Sequence, residues 1–292
     1  MKQVPQAFNC CENQRTYNYP ALKSVLTIAG FDPSGGAGLQ ADLKTIHALG
    51  GYGLSVASAI TVQNSQGVQS SHPLPSAQVR AQLECLLADV KPDAIKIGML
   101  ATGETVRTIL PILAQIDCPI VLDPVLISSS GRELLERHAW KDLQDLAQIA
   151  TLLTPNLPEI EALSGQNFTE LSNASWMPLT QLGWQNVLIK GGHSDSTEQA
   201  TDYLIRDLQH KAQLDSFSHA KVASQHNHGT GCTLASAIAT QLAFGLNLTE
   251  AVAQAKHYLT QALIHAAQGQ PTYLDQQCSR HGGLYHDFQN RN

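Results

Sequence analysis

Val25-Leu26-Thr27-Ile28-Ala29-Gly30 is an apolar run closed by a glycine, and the stretch from Gly38 to Leu49 that follows has helical spacing until Gly50-Gly51 stops it. The run is short and lacks clean alternation, the pattern of a strand covered on both faces. A strand that feeds a helix and is followed by another strand is the unit of a parallel sheet, because only a crossover brings the chain back alongside in the same direction. The unit recurs. Leu54 to Val62, Ala94 to Ile97, Pro119 to Leu122, Thr151 to Thr154 and Asn186 to Lys190 read as further strands. Ser76 to Asp89, Glu104 to Ile116, Leu134 to Leu146 and Pro158 to Leu163 read as helices. The order predicts an α/β fold with a mostly parallel sheet. The polar stretch from Ser194 to Ser218 breaks the rhythm; Thr201 to Ile205 and Lys211 to Phe217 are expected to form a small antiparallel excursion near the site. Two helices, Thr233 to Phe244 and Leu248 to Gln268, complete the pattern, and no internal repeat is present.

The composition fits one large globular unit. Of 292 residues, 43% are hydrophobic, enough to bury a sheet on both sides. Residues 1–22, rich in Asn and Gln, read as an extension, leaving 23–292 as a single domain. The net charge of −6 and the absence of a basic stripe exclude a nucleic-acid partner. No apolar run reaches the roughly 18 residues that cross a bilayer, so no membrane partner is expected. The segment Met1 to Tyr19 lacks the apolar core of a secretory signal. Cys10, Cys11, Cys85, Cys118, Cys232 and Cys278 show no CxxC spacing and read as free thiols of a reducing cytoplasm.

In open α/β sheets, ligands gather at the carboxyl ends of the strands. Six such ends here carry polar or glycine residues: Gly30-Phe31-Asp32, Gln63-Asn64, Gly98-Met99, Asp123, Asn156 and Lys190-Gly191-Gly192. The segment His228-Gly229-Thr230-Gly231-Cys232-Thr233 then runs into Leu234-Ala235-Ser236-Ala237-Ile238-Ala239. A loop feeding a helix in this way aims free N–H groups and the positive helix end at one point, which suits an anion. Glycines without Cβ atoms let backbone approach the ligand. Cys232 sits where the helix dipole is expected to favour its thiolate. An anion cradle holding an ionisable group points to phosphoryl transfer to a small alcohol.

The stretch Ala29-Gly30-Phe31-Asp32-Pro33-Ser34-Gly35-Gly36-Ala37-Gly38-Leu39-Gln40-Ala41-Asp42-Leu43-Lys44-Thr45 resembles the opening signature of hydroxymethylpyrimidine/phosphomethylpyrimidine kinases, which belong to the ribokinase-like superfamily. The resemblance continues in order through Gln63-Asn64, Lys96-Ile97-Gly98-Met99-Leu100, Asp123-Pro124-Val125, Thr154-Pro155-Asn156-Leu157-Pro158-Glu159, Lys190-Gly191-Gly192-His193 and the His228 to Cys232 segment. It covers residues 24–268, with a weaker echo in Gly283 to Phe288. It implies a three-layer α/β/α sandwich and two ATP- and Mg²⁺-dependent phosphorylations in thiamine biosynthesis. 4-Amino-5-hydroxymethyl-2-methylpyrimidine would be converted to its monophosphate and then to its diphosphate. The resemblance also implies a homodimer.

Residue roles follow from the resemblance and suit the residue types. Gln63 both donates and accepts, as the amine and ring-nitrogen edge of an aminopyrimidine requires. Gly30 and Met99 would wall the ring, and Asp42 would order the glycine-rich loop or touch the substrate. Gly229, Thr230, Gly231 and Lys190 would hold phosphate, with Asn156 and Lys256 on the nucleotide side. Asn156 and Glu159 resemble the family pair that holds Mg²⁺ through water, with Asp123 adding to that shell. Cys232 replaces the aspartate that sugar kinases of this superfamily carry as general base, as it does in the pyrimidine kinases.

A zinc cluster of His193, His226 and His228 is set aside, since no carboxylate or cysteine falls at ligand spacing around them. The nearest rival is a pyridoxal or pyridoxine kinase of the same fold. A non-catalytic relative is weaker, because Cys232, Lys190 and the glycines are all retained.

Overall fold

The computed structural model describes residues 22–64, 67–128, 131–168, 177–191, 198–223, 228–268 and 283–288. The first 21 residues of the expected extension, together with Gly192, His193 and His226, lie outside them. Nine strands among the described residues form one sheet: β1 (Ser24–Phe31), β2 (Tyr52–Asn64), β3 (Gly67–Pro73), β4 (Ala94–Ile97), β5 (Ile120–Leu122), β6 (Leu152–Leu153), β7 (Val187–Ile189), β8 (Gln199–Arg206) and β9 (Gln213–Ala220). Their spatial order is β3-β2-β1-β4-β5-β6-β7-β8-β9. From β2 to β7 the pairing is parallel; β3, β8 and β9 pair antiparallel at the two edges.

Strand alternation sorts the core into two layers. Leu26, Ile28, Ile95, Ile97 and Leu122 face α2 (Ser76–Leu87), α3 (Gly103–Leu113), α4 (Trp140–Ile149) and α5 (Leu157–Ser164). Their neighbours Val25, Ala94 and Val121 face α1 (Gly38–Ala48), α7 (Thr230–Ala243) and α8 (Leu248–Ala267). A short α6 (Met177–Thr180) precedes β7. The three-layer α/β/α arrangement is therefore present. Small residues on α7, with Ala235, Ala237 and Ala239 all buried, let that helix lie close to the sheet. Leu234 and Ile238 anchor it, at about 1.5–3 kcal/mol each for burial.

Four boundaries depart from the sequence reading. The expected excursion continues the main sheet, because β8 pairs with β7 and β9 with β8. The polar run Gly67–Pro73 is an edge strand, its backbone paired with the far end of β2. Leu134 and Leu135 are not helical: both N–H groups go to the Leu126 carbonyl, and α4 starts only at Trp140 after a 3-10 turn over Arg137–Ala139. Helix α7 begins three residues early, at Thr230, because Gly229 turns the chain at φ +82°, a left-handed conformation that glycine adopts without strain.

Candidate active site

The loop between β1 and α1 is shaped by one side chain. Asp32 is buried, and its Oδ1 accepts the N–H and hydroxyl of Ser34 at 2.8 and 2.7 Å. Its Oδ2 accepts the N–H groups of Gly36 and Ala37 at 3.1 and 2.8 Å, and Nε2–H of His228 at 3.1 Å. Burial alone would raise this carboxyl, but hydrogen bonds from His228, Ser34, Gln63 and Ala37 outweigh it and hold the group well below the carboxylate range. The loop order expected of Asp42 thus comes from Asp32. An Asp followed by Ser-Gly-Gly is a local turn signal that could have revealed it.

Around this loop the backbone is too close for side chains. A Cβ on Gly36 would stand 2.4 Å from Cδ2 of His228, and one on Gly229 would stand 1.8 Å from the Gly36 carbonyl oxygen. The N-terminus of α7 is thereby pressed against the loop that enters α1. The N–H of Gly38, the first residue of α1, donates to the Cys232 sulfur. Two helix N-termini therefore converge on one spot, with the thiol between them. Their orphan N–H groups make that spot attractive to an anion. The segment Gly283–Phe288 closes the back of this arrangement. His228 bridges Gly283, and His286 Nε2 lies 3.1 Å from Thr233 Oγ1. Burial holds the His286 imidazole down at about 4, so it packs there uncharged.

The substrate-side residues meet at the ends of β1, β2 and β4. A Cβ on Gly30 would lie 3.0 Å from the Met99 sulfur, and the Met99 carbonyl accepts from Ser58 Oγ at 2.5 Å. Gln63 is half-buried and reaches Asp32. Gly30, Met99 and Gln63 therefore lie beside the loop.

The charged half is built on β5, β7 and α5. Lys190 Nζ is 2.7 Å from Asp123 Oδ1 and 3.8 Å from Glu159 Oε2, and Thr154 Oγ1 donates to the same Asp123 oxygen at 3.1 Å. A Cβ on Gly231 would come within 3.3 Å of Lys190 Nζ and 3.4 Å of Asp123 Oδ2, so this glycine keeps the mouth of α7 open to both. Asn156 and Glu159 form a capping box at the start of α5, each side chain taking the other's N–H at 2.8 Å. Burial raises Glu159 to about 7; Lys190 opposes the shift and Asp123 adds to it. Burial works against the Lys190 cation, but Asp123 and Glu159 outweigh it and raise the ammonium above its usual range. Among the described residues, no group of three or more His, Cys, Asp or Glu side chains is placed to cage a metal.

Three expectations need correction. Asp42 has no exposure; it is paired with Lys96 beneath the loop and does not face the cleft. Lys256 is buried too, with Nζ 2.6 Å from Asp202 Oδ2, while Asp202 Oδ1 accepts the Gly191 N–H at 3.0 Å. It braces the turn after Lys190 and leaves no ammonium facing solvent. Cys232 does not gain a thiolate from its helix position alone. Burial pushes the thiol up to about 11; Lys96 pulls it down, Asp42 and Asp123 push it up, and the Gly38 N–H pulls it down. Lys96 and Asp202 were missed as supporting residues. A lysine inside a short apolar strand was the available signal for the first.

A family model described as phosphomethylpyrimidine kinase matches residues 32–274. A hydroxymethylpyrimidine/phosphomethylpyrimidine kinase of Staphylococcus aureus (strain MSSA476) is 40% identical over 246 residues, 82% of this chain and 88% of the relative. The crystal structure of a phosphomethylpyrimidine kinase from Clostridium difficile 630 overlays with a TM-score of 0.71 at 39% identity, covering 82% of this chain and 99% of that one. A pyridoxal kinase from Staphylococcus aureus, solved in complex with AMP-PCP and pyridoxal, overlays with a TM-score of 0.79 at 32% identity, covering 93% of this chain and 96% of that one.

Proposed function

The chain belongs to the phosphomethylpyrimidine kinase family, and from that premise we propose that it uses ATP to phosphorylate 4-amino-5-hydroxymethyl-2-methylpyrimidine, first to the monophosphate and then to the diphosphate, in thiamine biosynthesis. One observation carries the chemistry: two helix N-termini converge on Cys232, beside a lysine flanked by two carboxylates.

The pyrimidine ring rests against the wall that Gly30 and Met99 form together, with Gln63 reading its amine and ring-nitrogen edge. The amides of Gly229, Thr230 and Gly231 hold the migrating γ-phosphoryl group, and Lys190 neutralises its charge as a compact cation. Cys232 gives up its own proton to solvent and, as the thiolate, accepts the hydroxyl proton. The substrate oxygen bonds phosphorus, the P–O bond to the departing nucleotide breaks, and its electron pair leaves on ADP. The transition state of such a transfer is loose, so position and charge neutralisation contribute more than base strength.

Asp123 and Glu159, two carboxylates around one ammonium, fit a Mg²⁺ held through water, since that ion keeps much of its hydration shell. Bound there with nucleotide, the ion would supply neutralisation of phosphate charge. Asn156 then fixes Glu159 through the capping box, and Lys256 supports the nucleotide side through Asp202 and Gly191.

The proposal takes residues 23–292 as one kinase domain acting in the cytoplasm as a homodimer. Ile60 and Val62, two residues apart on β2 and both exposed, offer apolar surface for self-association. Sedimentation velocity checks the dimer.

A second reading, phosphorylation of pyridoxal or pyridoxine, is favoured by one observation, the overlay with a pyridoxal kinase across most of the chain. A mass-resolved assay with ATP, Mg²⁺ and each alcohol separately tests both. Mono- and diphosphate of the aminopyrimidine are expected. Phosphorylation of pyridoxal alone would overturn the first reading.

A further inference from the structure

The mechanism above leaves one buried ion pair, Lys96 with Asp42, unused. Lys96 is on β4, in register with Thr27 of β1, and strand alternation turns both toward α1 and α7. It has no exposure at all. Its Nζ lies 2.9 Å from each oxygen of Asp42. Asp42 also accepts Thr27 Oγ1 at 2.6 Å and Ser236 Oγ at 2.8 Å. The pair thus ties together β1, β4, α1 and α7.

Two features aim this assembly at the site. Ser236 follows Cys232 by four residues on α7, so both occupy one face, and the bond from Ser236 to Asp42 sets that face over the ion pair. A Cβ on Gly98 would stand 2.6 Å from Lys96 Nζ, so the lysine runs toward the carboxyl end of its strand, where the site lies, and a glycine leaves it room. Stability alone does not explain the arrangement. An apolar pair of the same volume commonly serves a core as well as a buried ion pair, because desolvation of two charges offsets their attraction.

We propose that Lys96 is a positioning residue whose ammonium, held by Asp42, is the counter-charge beneath the Cys232 sulfur, setting how readily that sulfur releases and accepts the substrate's proton. The inference deepens the kinase reading and rests on it for the identity of that proton. Among the described residues, five groups act on the sulfur. Lys96 from β4 and Lys190 following β7 favour its anion; Asp42 from α1 and Asp123 following β5 oppose it; the Gly38 N–H of α1 donates to it. The two members of one salt bridge therefore act on the sulfur in opposite directions.

That opposition supplies the test. Cys232 alkylation by iodoacetamide reads the thiolate directly, and peptide mass spectrometry separates it from the other cysteines. The pH profile is measured for the full chain, for Lys96→Met and for Asp42→Asn, without nucleotide or pyrimidine. Lys96→Met is expected to slow alkylation at about pH 8 by roughly tenfold, the equivalent of one pKa unit, and Asp42→Asn to speed it. Both variants break the same ion pair, so a merely structural role would move both rates in one direction; that result, or no change in either, overturns the proposal. Should a single variant fail to fold, Lys96→Met/Asp42→Asn removes both charges together. Lys96 acts on the sulfur more strongly than Asp42, so the double variant is expected to alkylate more slowly than the native chain. A double variant with the native profile also overturns the inference. Since the assay needs no turnover, its failure would leave the kinase reading intact, and failure of the kinase assay would leave the coupling intact.

Discussion

Replacing Asp32 by asparagine tests whether one carboxylate holds the glycine-rich loop in its working shape. Besides the contact from Gln63, the two oxygens of Asp32 receive five hydrogen bonds, from Ser34 twice, Gly36, Ala37 and His228. Asparagine keeps one acceptor oxygen and converts the other to an NH₂ donor. If the oxygen stays with Ser34, the amide nitrogen faces three donors and three charge-assisted bonds are lost. At about 1.5 kcal/mol each, the low end for bonds to a charged group, the loss is about 4.5 kcal/mol. The loop can open without unfolding the sheet, so this loss is expected mainly in local opening, by about a thousandfold. Hydrogen exchange of Gly36 and Ala37 measures it, together with the KM for the pyrimidine, which is expected to rise at least tenfold. A depressed carboxylate contributes fully above its unfolded value and loses that contribution as pH falls through its folded value. The difference between native chain and variant should therefore be flat at neutral pH and close only below the ordinary 3.8. Unchanged protection of the two loop amides would refute the reasoning.

Four further outcomes are expected. Gly231→Ala places a methyl 3.3 Å from Lys190 Nζ in a helix that otherwise favours alanine, so Tm should hold or rise while kcat/KM falls at least tenfold. Cys232→Ser should be slow but active, and Lys190→Met at least as damaging; equal saturated rates for the native chain and Cys232→Ala would exclude a proton-accepting role for the sulfur. Lys256→Met leaves Asp202 buried without its cation, costing about 3–5 kcal/mol in urea unfolding, and should raise the KM for ATP more than it lowers kcat. Glu159 is raised from 4.5 to about 7, so its folded form retains a proton that the unfolded chain has released; stability falls as pH rises through that interval. Glu159→Gln, which mimics the protonated form, should therefore raise Tm relative to the native chain near pH 8 and not near pH 4, in paired thermal melts.

The parallel sheet was legible because each central strand is an apolar run with a helix after it, and burial on both faces leaves that mark in sequence. The edge strands were less so. Gly67–Pro73 is held by backbone pairing to β2, and its side chains are only half-buried or exposed, so no periodicity announces it. The rim of the candidate site was legible for the same reason as the strands: Gly30, Met99, Asp123, Asn156 and Lys190 all stand where a buried run ends, while Gln63 closes β2, whose Ile60 and Val62 are exposed. The groups beneath the rim were not. Asp42 and Lys96 are 54 residues apart and meet only because β1 and β4 are neighbours and α1 packs across them. Lys256 and Asp202 are equally distant in sequence and equally dependent on topology.

This division bears on how the site works. Lysines and carboxylates buried in the α1/α7/α8 layer sit next to one another in pairs, each cation with its own anion. Lys190 differs, since it is shared between Asp123 and Glu159 and lies against the open mouth of α7. A shared cation is the one most easily re-partnered, because an arriving phosphate competes with carboxylates that already repel each other. Glu159 stands farther from Lys190 than Asp123 does, 3.8 against 2.7 Å, and burial makes its carboxyl the harder to ionise, so its hold on Lys190 is the weaker of the two. On the proposed mechanism, the charge that meets the phosphoryl group is already near its place before nucleotide binds, and little reorganisation is needed at the moment of transfer. The sulfur, by contrast, rests as a thiol at about 11, kept from ionising until the surrounding charge changes. A site built in this way tolerates a weak proton acceptor and depends on its lysine, which is the ordering that the Cys232 and Lys190 variants measure.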